Sequence, residues 1–157
     1  MNTRSFLINK ANGQYIIWLE PFDEISPDFL KNAYEEIIEK NYDIIEYSII
    51  WRTNKENFDL GQLEETEYSN DNCLELYLSR NDAFQDLFYG KVIKAEILKN
   101  IKVPEYNTDI FDEMFFSLPM YHQVKNFSCK ELPMYSYDCS YDRFAGSSEK
   151  TFENIKK

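Results

Sequence analysis

The side chains best suited to nucleophilic or metal chemistry are few. The 157-residue chain has one histidine, His122, and three cysteines, Cys73, Cys129 and Cys139. An imidazole beside a thiol can lower its pKa and yield a thiolate nucleophile, so His122 with any of the cysteines would form the minimal dyad of a small hydrolase. A zinc site needs more ligands at short spacing, and no CxxC pair exists. The simpler reading is that His122, in Met120-Tyr121-His122-Gln123, is structural or exposed and that the thiols are small buried groups. Adjacent carboxylates occur at Glu35-Glu36, Glu64-Glu65 and Asp112-Glu113. Two carboxylates can split a glycosidic bond from opposite sides, but with 28 acids such neighbours arise by chance. The acids from Asp59 to Asp71 lack the EF-hand spacing, and Gly13, Gly61, Gly90 and Gly146 build neither GxGxxG nor GxxxxGK[ST]. No catalytic residue, metal or cofactor is therefore expected.

Charge is the more specific signal. Twenty-eight Asp and Glu stand against 17 Lys and Arg, a formal net charge of −11. Seven of the acids lie between Glu56 and Ser79, where no Lys or Arg occurs. Such a chain repels nucleic acid and anionic lipid and attracts basic surfaces. Asp59, Glu64, Glu65, Glu67, Tyr68 and Asp71 are the expected partner-binding set: carboxylates steer the encounter and an aromatic ring supplies contact area. A solvated loop kept soluble by charge is the bland alternative. Tyr135, Tyr137 and Tyr141 would share one face of an extended segment, either for contact or as a buried sheet face.

The elements that would position these residues follow from pattern. Asn12-Gly13 between Ser5–Ile8 and Gln14–Leu19 reads as a β-hairpin turn. Its second arm, nearly all apolar, reads as a central strand. Ser26 caps and Pro27 opens a helix whose buried stripe would be Phe29, Leu30, Ala33, Tyr34, Ile37 and Ile38. Residues 42–51 read as a strand, Cys73–Leu78 as an alternating half-buried strand and 92–103 as another. Short helices are expected over 82–89 and from Thr108 or Asp109 to Phe116. The fold class expected is α+β, a mainly antiparallel sheet starting with a β-hairpin, with helices packed on one face. The whole of 1–157 reads as one domain with a polar tail from about residue 147. The odd cysteine count, the lack of an apolar leader and the lack of a run of about 20 apolar residues point to a cytoplasmic protein.

In overall character, though through no motif, this small, acidic, motif-poor chain resembles bacterial toxin-immunity proteins of contact-dependent growth inhibition and similar competition systems. The resemblance implies a non-enzymatic inhibitor that binds a basic, nuclease-like toxin domain through the acidic, aromatic surface. No direct nucleic-acid or membrane partner is expected. A nucleic-acid mimic that blocks a DNA-binding protein is a second reading, weakened by the lysines at 91, 94, 99 and 102. A hydrolase using Cys and His or paired carboxylates is a third.

Overall fold

The computed structural model describes residues 3–52, 57–59, 63–69, 73–79, 88–102 and 112–138. Five helices are described, α1 (Thr3–Lys10), α2 (Phe29–Lys40), α3 (Cys73–Leu78), α4 (Ala95–Lys99) and α5 (Asp112–Gln123). The strands are β1 (Tyr15–Ile17), β2 (Glu24–Ile25), β3 (Ile44–Arg52), β4 (Asn57–Asp59), β5 (Thr66–Ser69), β6 (Lys91–Lys94) and β7 (Asn126–Asp138). They form one sheet in the order β1-β6-β3-β7-β2, with β4 added to β3 and β5 to β7.

The α+β class holds, but the sheet is mixed rather than mainly antiparallel. Its two longest strands, β3 and β7, run parallel from Ile44↔Phe127 to Arg52↔Asp138, with bulges around Ser48. The remaining pairings are antiparallel. The central strand is β3, buried from Ile44 to Ile49, and not the segment after Asn12-Gly13. That segment is β1 at one end of the sheet, paired with β6, and the expected first arm of the hairpin lies in α1. Only Ile8 of that arm is buried, while Phe6 and Leu7 stay about half exposed. One buried position in four suits a helix lying on the core rather than a strand within it.

Helices cover both faces, which corrects the one-face expectation. A strand apolar on both sides needs cover on both. Ile8, Cys73, Ile97, Leu98, Met120 and Tyr121 bring α1, α3, α4 and α5 to one face. Phe29 and Ala33 of α2 pack with Ile45, Tyr47, Val92 and Met134 on the other.

In α2 the apolar set is too wide for one contact. Phe29, Ala33 and Ile37 follow one line toward the sheet, whereas Leu30, Tyr34 and Ile38 lie one position, about 100°, further round. Those three are 59%, 65% and 67% exposed. Ser26 does not cap with its hydroxyl; its carbonyl accepts from Phe29 N at 2.9 Å, and Asp28 holds the cap position. Asn41, at φ 53°, closes the helix in the left-handed conformation.

Cys73–Leu78, expected as a strand, is helical. Its alternation also carries a four-residue period: Cys73 is buried, and Tyr77 stacks on Tyr121 of α5 with ring centroids 4.7 Å apart. The strand expected over 92–103 ends at Lys94, where Ala-Glu-Ile-Leu-Lys, all tolerable or good helix formers, turns into α4. The helix expected to end near Phe116 continues to Gln123 despite Pro119, and the region beyond is the long strand β7. The helix expected over 82–89 lies largely outside the described residues, as do Thr108, Asp109, Cys139, Tyr141 and the tail from 147. Among the described residues no helix is long and apolar enough to cross a membrane.

Two polar devices fix the sheet. Glu46 and Lys91 are register partners and form an ion pair of 2.9 Å with both side chains fully buried. Asp43 joins three strand ends: it accepts from Lys94 Nζ at 2.6 Å and from the amides of Lys125 and Asn126 at 2.8 and 3.1 Å. Gly90, at φ 69°, brings its carbonyl within 2.9 Å of Tyr47 N. A Cβ there would stand 2.9 Å from the Tyr47 carbonyl oxygen, so glycine is needed.

Candidate functional site

Strand direction creates the main candidate. β6 is antiparallel to both β1 and β3, and β7 is parallel to β3. So β1, β3 and β7 all point their carboxyl ends to one edge of the sheet. They end there in Trp18-Leu19-Glu20, Trp51-Arg52 and Tyr137-Asp138. The turn from Glu20 to Glu24 connects β1 at one side of the sheet to β2, paired with β7 on the other. It is thereby laid across the ends of the strands between. In open sheets, the space beyond such carboxyl ends is where ligands commonly bind.

Each acid of this turn has a specific partner. Asp23 is buried; its Oδ2 accepts from the Tyr135 hydroxyl at 2.5 Å and its Oδ1 from the Asp138 amide at 3.0 Å. Burial, and then the bond to Asp23, hold the Tyr135 phenol far above its usual range, so it stays a donor. Glu20 accepts from Trp18 Nε1 at 2.7 Å. Arg52 ties the turn down: Nη1 meets Glu24 at 2.7 Å, and Nη2 meets the Phe22 carbonyl at 3.1 Å and Asp138 at 3.4 Å. The Glu24 hydrogen bond, the largest influence, raises the Arg52 pKa.

These ties hold Phe22 at φ 75° with its side chain 61% exposed. For a bulky residue that conformation costs on the order of 1–3 kcal/mol and persists only where neighbours over-determine it. Behind the turn stands an aromatic wall. Trp51 and Tyr89 pack on Tyr137 with centroids 5.0 and 4.9 Å apart, and Trp18 lies against the same group. Tyr135 and Tyr137, expected to share a face, do so as part of this buried sheet face. The geometry offers carboxylate acceptors, a guanidinium and aromatic surface at one edge. Among the described residues no three His, Cys, Asp or Glu side chains are grouped to hold a metal ion.

The acidic partner-binding set lies elsewhere. Asp59 is in β4, Glu64 and Glu65 precede β5, Glu67 and Tyr68 are within it, and Asp71 lies outside the described residues. Glu64, Glu65 and Glu67 are exposed, and Glu65 reaches Lys130 at 3.3 Å. Tyr68 faces inward onto Phe127, centroids 6.0 Å apart, and so does not share a surface with Glu67. The dyad reading fails on burial for two of its three thiols, since Cys73 and Cys129 are buried in the core and His122 is exposed on α5, while Cys139 lies outside the described residues. Burial pushes the Cys73 thiol up to about 11 and that of Cys129 higher still, the reverse of an activated nucleophile.

Sequence reasoning missed the 20–24 turn because its chemistry is not in its composition. Glu20-Pro21-Phe22-Asp23-Glu24 reads as an ordinary polar connection. Its partners, Arg52, Tyr135 and Asp138, come from strands far along the chain.

No family model matches the sequence, and no curated protein does. Solved structures share the fold. TarS 1–349 of S. aureus in complex with UDP-GlcNAc superposes with a TM-score of 0.67 at 17% identity, over 92% of this chain and 40% of that one. The same TarS fragment in complex with UDP gives 0.65 at 19% identity, over 87% and 39%. A longer TarS structure gives 0.66 at 19% identity, over 86% and 23%. The chain thus spans about two fifths or less of each of these proteins. This likeness, to a glycosyltransferase solved with nucleotide and nucleotide sugar, corrects the expectations of an immunity protein and of a non-enzyme; what it shows of this chain is the shared fold.

Proposed function

We propose that the chain is a glycosyltransferase-like unit that takes part in binding a UDP-linked sugar, with the 20–24 turn as the polar wall of the site. The observation that carries the reading is the convergence of three strand ends on one anchored turn, in a fold shared with proteins solved with UDP-GlcNAc and UDP. Sugar hydroxyls are donors, and Glu20 and Glu24 stand at the turn as carboxylate acceptors. The guanidinium of Arg52 touches the turn and suits a diphosphate. The exposed ring of Phe22 and the aromatic group behind it suit the apolar face of a sugar or a base.

In this reading Asp23 is a positioning residue. It spends both oxygens on Tyr135 and Asp138 and so fixes the path of the turn. The reaction class is transfer of a glycosyl group from the diphosphate to an acceptor nucleophile, and the proposal assigns this chain the binding part of it.

Calorimetric titration of the chain with UDP-GlcNAc and with UDP tests the reading. Saturable binding is expected, weakened about tenfold or more by Arg52→Met, the scale of a lost charge-assisted hydrogen bond. Glu20→Gln serves as a second variant with little demand on folding, and it should weaken the nucleotide sugar more than UDP. Absence of saturable binding by either ligand would overturn the proposal.

A further inference from the structure

The turn beyond the strand ends holds an aromatic residue where its backbone calls for glycine. Asp23 N donates to the Glu20 carbonyl at 3.2 Å and closes the turn Glu20-Pro21-Phe22-Asp23. Proline at the second position and positive φ at the third are the marks of a type II turn. Glycine or asparagine is the usual third residue, because most side chains strain that conformation. Here the third residue is Phe22, at φ 75° and 61% exposed. Burial in the core does not account for a ring that keeps most of its surface in water. Strain of this kind is held where the strained side chain has a use.

The groups around the ring indicate what it meets. Glu20 and Glu24 flank Phe22 two residues away on either side. Each has one oxygen in a bond already described, Glu20 to Trp18 Nε1 and Glu24 to Arg52 Nη1. An ionised carboxylate has room for further donors. Arg52 Nη2 reaches the carbonyl of Phe22 itself at 3.1 Å. A pyranose fits this arrangement. Its faces are C–H surface that packs on an aromatic ring, and its rim carries hydroxyl donors for the carboxylates. In a nucleotide sugar it is bonded directly to the diphosphate, which suits the adjoining guanidinium. Uracil fits less well, because two of the polar groups on its rim are carbonyl oxygens, which carboxylates repel.

We propose that Phe22 is the specificity-determining residue of the site, stacking on the sugar ring of a bound nucleotide sugar and so selecting it over the free nucleotide. This role rests on the nucleotide-sugar reading above and adds to it which half of the ligand the ring reads. The type II turn lifts the ring off the sheet edge, and the ties of Asp23 and Arg52 keep it there.

The test compares Phe22→Gly, Phe22→Ala and Phe22→Tyr by calorimetric titration with UDP-GlcNAc and with UDP, and by thermal melting. The Gly and Ala variants should lose about three- to tenfold in affinity for UDP-GlcNAc while affinity for UDP stays within about twofold. Phe22→Tyr keeps the ring and should bind UDP-GlcNAc within about twofold of the wild type. Both truncated variants lack the ring, but only glycine relieves the backbone. Phe22→Gly should therefore melt about 2–4 °C above Phe22→Ala, the reverse of the usual order. Equal losses for both ligands would put the ring on the nucleotide and overturn the assignment. Unchanged affinity for UDP-GlcNAc in Phe22→Gly, or a higher melting temperature in Phe22→Ala than in Phe22→Gly, also overturns it. Binding of neither ligand by the wild type is a different result, which removes the nucleotide-sugar reading and this role with it.

Discussion

The turn at 20–24 and the segment at 64–69 are both acidic, and they differ in what meets the charge. In the turn, Asp23 is held by Tyr135 and the Asp138 amide, Glu24 by Arg52 and Glu20 by Trp18. In the later segment Glu64 and Glu67 are exposed, and only Glu65 reaches a cation through its side chain in an ion pair given among the described residues. The denser charge lies in the second region, and the built geometry in the first. Carboxylates acquire chemistry from fixed partners, and a count of acids does not reveal them.

The contrast has an extreme member in Glu46, whose single cationic register partner is Lys91 in the buried sheet. Lys91→Met should give the largest loss, about 3–5 kcal/mol, because it strands a buried carboxylate. Urea denaturation would read it directly. The double variant Glu46→Leu with Lys91→Met should recover much of that loss, since the two charges then leave together. A Lys91→Met variant as stable as the wild type would erase the distinction between partnered and solvated acids.

Asp43 gives a smaller effect with a pH signature. Burial raises its pKa, but the Lys94 bond and the amides of Lys125 and Asn126 outweigh that and hold it below the ordinary carboxylate value. A depressed folded-state pKa contributes stability that is complete above the unfolded value, about 4. That contribution is lost as the pH falls through the folded value. Asp43→Asn should therefore cost roughly 1–2 kcal/mol at pH 7, discounted for partial exposure, and progressively less as the pH drops from 5 to 3. Urea midpoints across that range would show the two curves converging. Parallel curves would remove Asp43 from the partnered class.

Glu64→Lys should have the smallest effect, within about 0.5 kcal/mol by the same measurement, since the side chain is exposed and no built contact is lost. A large change there would show that the solvated segment is structured by its charges after all.

How much of this was legible in the sequence depends on range. Helix α2 was readable because Pro27 and the Phe29–Ala33–Ile37 line act locally. Strand β3 was readable from its run of Ile, Tyr and Trp. The α3 segment misled because Cys-Leu-Glu-Leu-Tyr-Leu satisfies a period of two as well as a helical one, and the helical one matches the burial of Cys73 and the stack of Tyr77 on Tyr121. The burial of one α2 line and exposure of the next was not readable either, because a width of apolar surface does not say how much the sheet will cover. The site lay furthest from view: Asp23 is separated from Tyr135 by 112 residues.

The parallel pairing of β3 with β7 also governs the timing of folding. Ser48 reaches its Lys130 carbonyl partner across 82 residues, so this pairing closes only after the chain has been made past Lys130. Contacts of such range are slow to form. Until then β3 presents an apolar edge with Ile44, Ile45, Ile49 and Ile50 to the crowded surroundings of synthesis. β6 pairs Ile44 to Glu46 along the opposite edge of β3, and so leaves the edge that meets β7 open. Glu46 and Ser48, placed within that run, interrupt it with polar groups while the edge waits, as gatekeepers against misassociation.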